Sequence, residues 1–385
     1  MRLLFVSHGP AHVPWTMPLA WAARLAGHEV RVAARRDCVP SVTQAGLATV
    51  SLDNPAAIEI SGQRLDLDAV KRAAAQEGPL PPGRLPEAMR IALAEKMIAV
   101  AEALTDELVA FARQWQPEAI VHDIAAVSGE VAAAVLGVPA IGHTWGLPIG
   151  PYGTAEPQPS ESYLKLFDRF NASAPTAPPV WIDSCPPSMR PDCPIERVDT
   201  RFIPYAGPGL VPDWLPQPTT RRRVLLTGGV TAGWLDGISG GVLDVLAESD
   251  VEVVLAVTAA QAAALPELPE QVRVVENLPI DLVLPHCDLA VHHGGLGTGM
   301  MSVQAGVPQV VLPQNPVQKQ WGQLITLADA GRLVPPTDTD ALRTAITETL
   351  NEPSYRTAAA KVAAEIADQP HPGAAIDEAL NRVRG

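Results

Sequence analysis

Strand-length apolar runs recur along this chain, each followed by a segment of helix length. They fall into two series divided by one stretch of proline and glycine. "RLLFVSH" (2–8) is the first run, and "WTMPLAWAARLAGHEVRVAA" (15–34) then supplies a helix, a stop at Gly27 and a strand from Glu29. Strand, helix and strand in that order make a β-α-β unit, and such units build a parallel sheet. "PEAIVHD" (117–123) ends another buried strand, followed by the helix "AAVSGEVAAAVLG" and the strand "PAIGHT". A Pro-rich stretch around 76–87 precedes a long helical pattern that runs to about Trp115. Residues 150–195 read as irregular loops, the kind of segment that reads an individual ligand from a rigid scaffold.

Periodicity vanishes across "FIPYAGPGLVPDWLPQPTT" (202–220), which marks an interdomain linker. The second series begins at once with "RRVLLTGG", continues through "VEVVLAV", "VRVVENLP" and "CDLAVHHGG", and closes on "PQVVLP". From about 338 to 385 the pattern is two or three amphipathic helices. The expectation is an α/β chain of two doubly wound, Rossmann-like domains, 1–207 and 222–367, joined by a linker at 208–221. Residues 368–385 are expected to form a terminal helix that packs back on the first domain. Ligands of open parallel sheets bind at the carboxyl ends of the strands, so the cleft between two such domains is the default site.

A chain of 385 residues has room for two domains with real cores, and 47% hydrophobic with 18% charged residues suits a globular protein. The net charge of −14 argues against nucleic acid as a partner. The one dense basic run, Arg221-Arg222-Arg223, leads straight into an apolar strand and reads as a strand entry. No apolar run has the length to cross a bilayer, and "MRLLFVSHGPAH" reads as a first core strand rather than a signal peptide. Cys38, Cys185, Cys193 and Cys287 show no paired ligand spacing. A reduced, metal-free, cytoplasmic protein without membrane contact is therefore expected.

"VHHGGLGTGMMSVQAGVPQVVLP" (291–313) carries the densest chemistry. An apolar strand ends in two histidines and alternating glycines, then a helix opens. Such a corner lets the backbone approach a ligand while free N–H groups and the helix dipole attract an anion. It lacks the Gly-Lys-Ser/Thr of a P-loop and is not G-x-G-x-x-G, which disfavours a dinucleotide. On the residues alone, glycines that merely permit close strand–helix packing explain it equally well.

In the first series His12 follows the first strand at the mouth of its helix, and Asp123 ends the "AIVHD" strand on the same sheet edge. A carboxylate that accepts from one imidazole nitrogen leaves the other as a base. Asp123 could equally cap the helix that begins near Ala125.

The "HHGG" stretch resembles the nucleotide-sugar signature of GT-B glycosyltransferases, in the bacterial natural-product branch, where it reads roughly "VHHGGxGTxxxAxxxGVPQVVLPxxxDQ". "HVPWTMPLAWAARLAGHEV", "FIPYAGPGLVPDWL" and "NLPIDLVLPHCDLAVHHGG" resemble other segments of that family in the same order, so the likeness covers nearly the whole chain. It implies the GT-B fold and a catalytic His12–Asp123 dyad. It also implies a donor diphosphate held by His293, Gly295, Gly297, Thr298 and Thr231, and a base held by the main chain at Leu278. Where relatives carry Asp-Gln on the donor sugar this chain has Val317-Gln318, and where UDP-sugar enzymes often place Glu it has Met301. Lost acceptors suggest lost hydroxyls, which favours a dTDP-deoxysugar donor.

The implied activity is an inverting, metal-independent transfer of a deoxysugar to an aromatic polyketide or macrolide-like acceptor, at oxygen or carbon. The dTDP-sugar serves as co-substrate and no cofactor is expected. His292, His143 and Trp145 are candidates for the acceptor or sugar side, with core packing as the alternative for the last two. A non-catalytic GT-B auxiliary protein or a nucleotide-sugar epimerase shares the fold, but the presence of both dyad residues weighs against the first. The long irregular segments at 55–90 and 150–195 weigh against the second, since an epimerase needs no acceptor pocket. An auxiliary-protein partner and a homodimer are both left open.

Overall fold

The computed structural model describes residues 1–77, 80, 81, 83–144, 159–175, 180–190, 195–217, 219–229 and 234–384. The first domain runs β1 (Arg2–Ser7), α1 (Val13–Leu25), β2 (Glu29–Arg35), α2 (Val39–Gln44), β3 (Thr49–Leu52), α3 (Pro55–Gly62) and α4 (Leu67–Ala74). It continues through α5 (Glu87–Trp115), β4 (Ala119–Asp123), α6 (Val127–Leu136), β5 (Ala140–Thr144), α7 (Glu161–Asp168), β6 (Val180–Asp183) and β7 (Arg197–Asp199). The second runs β8 (Arg222–Thr227), α8 (Trp234–Ala247), β9 (Val251–Val257), α9 (Ala259–Ala262), β10 (Val272–Glu276), α10 (Ile280–Val283) and β11 (Leu289–His292). α11 (Leu296–Gln304), β12 (Gln309–Val311), α12 (Pro316–Leu327), β13 (Gly331–Leu333), α13 (Thr339–Asn351), α14 (Pro353–Asp368) and α15 (Pro372–Arg382) complete it.

Every strand pairing is parallel, in the orders β3-β2-β1-β4-β5-β6-β7 and β10-β9-β8-β11-β12-β13. Both sheets therefore reverse direction beside their first strand, and each reversal opens a crevice at the carboxyl edge. Strands that read as uninterrupted apolar runs are buried, as sheets covered on both faces require.

Of the segment expected to be irregular, 150–195, residues 150–158, 176–179 and 191–194 lie outside the described residues, and the rest is more regular than its prolines suggested. It contains α7, capped by the Ser160 side chain, and β6, which with β7 finishes the first sheet. Strands of three or four residues present too little periodicity to stand out between prolines.

Residues 200–212 carry no regular element, and Gly209 of this stretch packs so closely on Pro279 that a Cβ there would come within 2.3 Å of its Cδ. α15 returns to the first domain, where Ala375, Ile376, Ala379 and Leu380 join Phe5, Met17 and Val32 in one core. A second buried cluster spans the two domains, with Trp15, Ile124, Trp181 and Phe202 on one side and Met300, Val311 and Trp321 on the other. Burial of that size brings the carboxyl edges of the two sheets face to face. Among the described residues no helix is long and apolar enough to cross a membrane.

Candidate active site

The first domain's edge is set by β1 and β4, neighbours in the sheet, which brings together His12 and Asp123, 111 residues apart in sequence. His12 stands at the N-cap of α1, where Pro14 pre-sets the first turn, and its Nδ1 lies 3.2 Å from Oδ1 of Asp123. The two side chains differ sharply in environment: His12 is 25% exposed and Asp123 is fully buried. Burial by itself would push the Asp123 carboxyl up. The His12 and His8 charges, together with hydrogen bonds from His12 and Ser7, outweigh it and hold the group well below the usual carboxylate range. An ionised Asp123 accepts from Nδ1–H, which leaves the lone pair on Nε2. The same Oδ1 accepts from the Ala125 N–H at 2.7 Å, so the capping role and the dyad role coexist on one oxygen.

Behind the pair lies a buried polar shell. His8 Nε2 meets the Ser128 hydroxyl at 3.0 Å, and His122 Nδ1 donates to the Asp123 carbonyl at 3.2 Å. Tyr163 donates to Glu130 at 2.6 Å. Burial pushes the His8 and His143 imidazoles down to about 4, so both are neutral near pH 7. His143 is buried on β5 and lines a small cavity with Trp15, Ser184, Thr200 and Phe202.

The second edge is built differently. β11 ends at His292, Gly294 takes φ +89°, and α11 opens behind Gly295. The His293 ring is clamped between two glycines. A Cβ on Gly295 would lie 2.3 Å from His293 Nε2, and one on Gly229 would lie 2.9 Å from Cε1. Burial brings the His293 imidazole down to about 4, partly opposed by a hydrogen bond to the Thr227 backbone. The N–H groups of Gly295, Leu296 and Gly297 belong to the first turn of a helix, whose early amides have no intrahelical acceptor. Thr298 is buried in that turn, and its carbonyl accepts from the Ser302 hydroxyl at 2.8 Å. Trp15, one turn beyond His12 on α1, reaches across so that its indole nitrogen lies 3.9 Å from where a Gly297 Cβ would stand. The His12 edge and the glycine corner are thus in contact.

The geometry agrees with the comparisons to known proteins. Residues 21–229 match the model of the N-terminal domain of erythromycin biosynthesis protein CIII-like proteins, and residues 240–381 match that of their C-terminal domain. The chain belongs to that family. It is 32% identical to 10-deoxymethynolide desosaminyltransferase of Streptomyces venezuelae, over 98% of this chain and 96% of the relative. It is also 32% identical to aclacinomycin-T 2-deoxy-L-fucose transferase of Streptomyces galilaeus, over 97% and 94% of the two chains. The solved spinosyn rhamnosyltransferase SpnG superposes with a TM-score of 0.83 at 28% identity, covering 98% of this chain and 99% of its own. That enzyme has also been solved with thymidine diphosphate and with the spinosyn aglycone. The protein is a natural-product glycosyltransferase of GT-B fold.

Within this glycosyltransferase several expected residues sit otherwise than the sequence suggested. His292 does not face the cleft: it has no exposed surface, its Nε2 bonds Gln309 Oε1 at 2.9 Å, and its Nδ1 accepts from the Gly294 N–H at 3.1 Å. Both nitrogens are engaged inside the domain, which leaves none for sugar or acceptor. Gln318 is buried in the first turn of α12, where its Oε1 accepts from the Gln314 N–H at 2.7 Å. Val317 packs against Val70, Leu85 and Met89 of the first domain, an apolar setting in which a carboxylate would be desolvated. Met301 is half-buried between two apolar clusters. Leu278 is half-buried behind Asn277, which is exposed at φ +50°. Thr231 and Trp145 lie outside the described residues. Trp15, Gly229, Gln309 and Trp321 went unread. Trp15 and Gln309 lie inside motif stretches, but nothing in one sequence says that their side chains meet other elements.

Proposed function

We propose that this glycosyltransferase moves a deoxysugar from dTDP to a hydroxyl, or an activated ring carbon, of a polyketide or macrolide-like acceptor by one inverting displacement. The single observation that carries the reading is the His12–Asp123 pair at 3.2 Å on the edge that meets the α11 corner through Trp15. His12 Nε2 takes the acceptor proton as the nucleophile bonds to the anomeric carbon. The bond from that carbon to the diphosphate oxygen breaks on the opposite face, and dTDP leaves with the electron pair. Asp123 keeps the tautomer and stabilises the imidazolium that forms.

The departing diphosphate is met by the first-turn amides of α11 and by His293, a preorganised electrostatic arrangement that requires no resident metal ion. Apolar Val317 and Met301 stand where hydroxyl acceptors are common in relatives, which favours a donor stripped of hydroxyls. Relatives named for desosaminyl and 2-deoxy-L-fucose transfer, and the neighbour solved with thymidine diphosphate, support the same choice.

Calorimetric titration of dTDP and UDP into the wild type, His12→Ala and His293→Ala tests the assignment. The expected result is tighter binding of dTDP than of UDP, dTDP binding retained in His12→Ala, and binding weakened about tenfold in His293→Ala. Equal affinity for both nucleotides would remove the dTDP preference, and absence of binding would remove the donor site.

A further inference from the structure

His292, expected at the substrate and found buried, belongs to a chain of directed hydrogen bonds. Trp321 Nε1–H is an unambiguous donor to Gln309 Oε1 at 2.9 Å, and the Gly299 carbonyl is an unambiguous acceptor from Gln309 Nε2 at 3.2 Å. Those two partners fix the amide's orientation. The Gln309 oxygen therefore faces His292 Nε2, which must carry the proton. Nδ1 is then a lone pair, as the incoming Gly294 N–H at 3.1 Å requires. His292, Gln309 and Trp321 are all without exposed surface, so no water competes for these bonds.

The two backbone ends of this chain bracket the glycine corner. Gly294 is the residue at φ +89°, immediately before the α11 N-cap, and Gly299 closes that helix's first turn. A Cβ on Gly294 would stand 2.6 Å from the Gln318 carbonyl oxygen. One on Gly299 would stand 2.2 Å from the Trp321 ring. The amides of Gly295, Leu296 and Gly297 lie between these anchored points. We propose that His292, Gln309 and Trp321 are positioning residues which lock the Gly294–Gly299 backbone into its anion-binding form before the donor arrives. This rests on the donor reading above. The bond that matters most is the one from the Gly294 N–H to Nδ1, because a buried amide that loses its acceptor must turn elsewhere and take its neighbours with it.

Two conservative replacements separate the two nitrogens. Asn places an acceptor near the site of Nδ1, while Gln places a donor near that of Nε2 and none at Nδ1. His292→Gln is expected to weaken dTDP binding about tenfold, with His292→Asn within about threefold of the wild type. Thermal midpoints measured alongside show whether affinity merely follows stability. Equal losses in the two variants, tracking their midpoints, would overturn the proposal, as would unchanged affinity in both. Histidine nitrogen NMR and amide exchange of the nucleotide-free protein supply an independent readout. His292 should show the Nε2–H tautomer, and the Gly294 amide should exchange slowly in the wild type and His292→Asn but fast in His292→Gln. If the wild type bound no dTDP while this pattern held, the donor reading would fail and the positioning network would stand. The opposite tautomer, or a fast-exchanging Gly294 amide in the wild type, would sink the network itself.

Discussion

The two facing edges of this molecule start from the same local plan, a parallel strand that runs into the start of a helix, and solve different chemical problems. On the first, one histidine is partly exposed beside a buried, ionised carboxylate, and the turn before it holds a single glycine, Gly9. On the second, His292 is held by the Gln309 amide, His293 is buried between Gly229 and Gly295, and glycines leave the backbone bare. His12 therefore has a carboxylate on its Nδ1, whereas burial keeps His292 and His293 neutral at pH 7. The setting of each histidine is decided by what lies behind it, a carboxylate for His12 and an amide for His292.

Breaking the first half of that contrast should have the largest effect. Asp123→Ala removes the oxygen shared by His12 Nδ1 and the Ala125 N–H, so nothing keeps the proton on Nδ1 and the lone pair on Nε2. Transfer kcat should fall roughly 10²–10⁴-fold with dTDP affinity within a factor of about two. A kcat near wild type would show that the carboxylate does not govern the tautomer.

The second edge is broken by adding one carbon. Gly295→Ala drives its methyl into the His293 ring, since the new Cβ would lie 2.3 Å from Nε2. The ring and the corner cannot both stay in place, and dTDP binding should weaken at least about tenfold, read by calorimetry. Unchanged affinity would mean that the ring moves freely and takes no part in the site.

The smallest effect sharpens the contrast through pH. Burial lowers His292 to about 3 and His293 to about 4 in the folded protein, from 6.5 in the unfolded chain. Between those values the unfolded state binds more protons, so stability is full above about 6.5 and declines as pH falls toward 4. The thermal midpoint should drop by a few degrees between pH 7 and pH 5, at about 2–4 °C per kcal/mol, and less in His293→Gln. A midpoint flat across that range in the wild type would contradict the neutral, buried state of these rings.

Much of the fold was legible because long central strands bury both faces and read as unbroken apolar runs, as in "LLFV", "AIVHD" and "VEVVLAV". β6, β7 and β13 were not, being three or four residues long and lying at or next to a sheet's edge, where pairing with a neighbour rather than composition makes a strand. α3, α4 and the residues after them were read only as a variable stretch. Gly83, Leu85 and Met89 acquire their role from the second domain, through bonds of Gly83 to Gln320 and Gln323 and through packing on Val317.

The sequence by itself determined that there would be two parallel α/β sheets, that His12 would follow one strand and Asp123 end another on the same edge, and that a glycine corner would open a helix on the other. Those are consequences of local patterning, of where apolar runs stop and which residues the stops contain. Only the tertiary structure decided that β1 and β4 lie side by side, so that a carboxylate reaches a histidine far away in sequence. It alone decided that His292 turns inward to Gln309 while His293 is clamped at the corner. Two adjacent histidines at the end of a buried strand are identical to any local rule, and what separates them is which helix covers each face of the sheet.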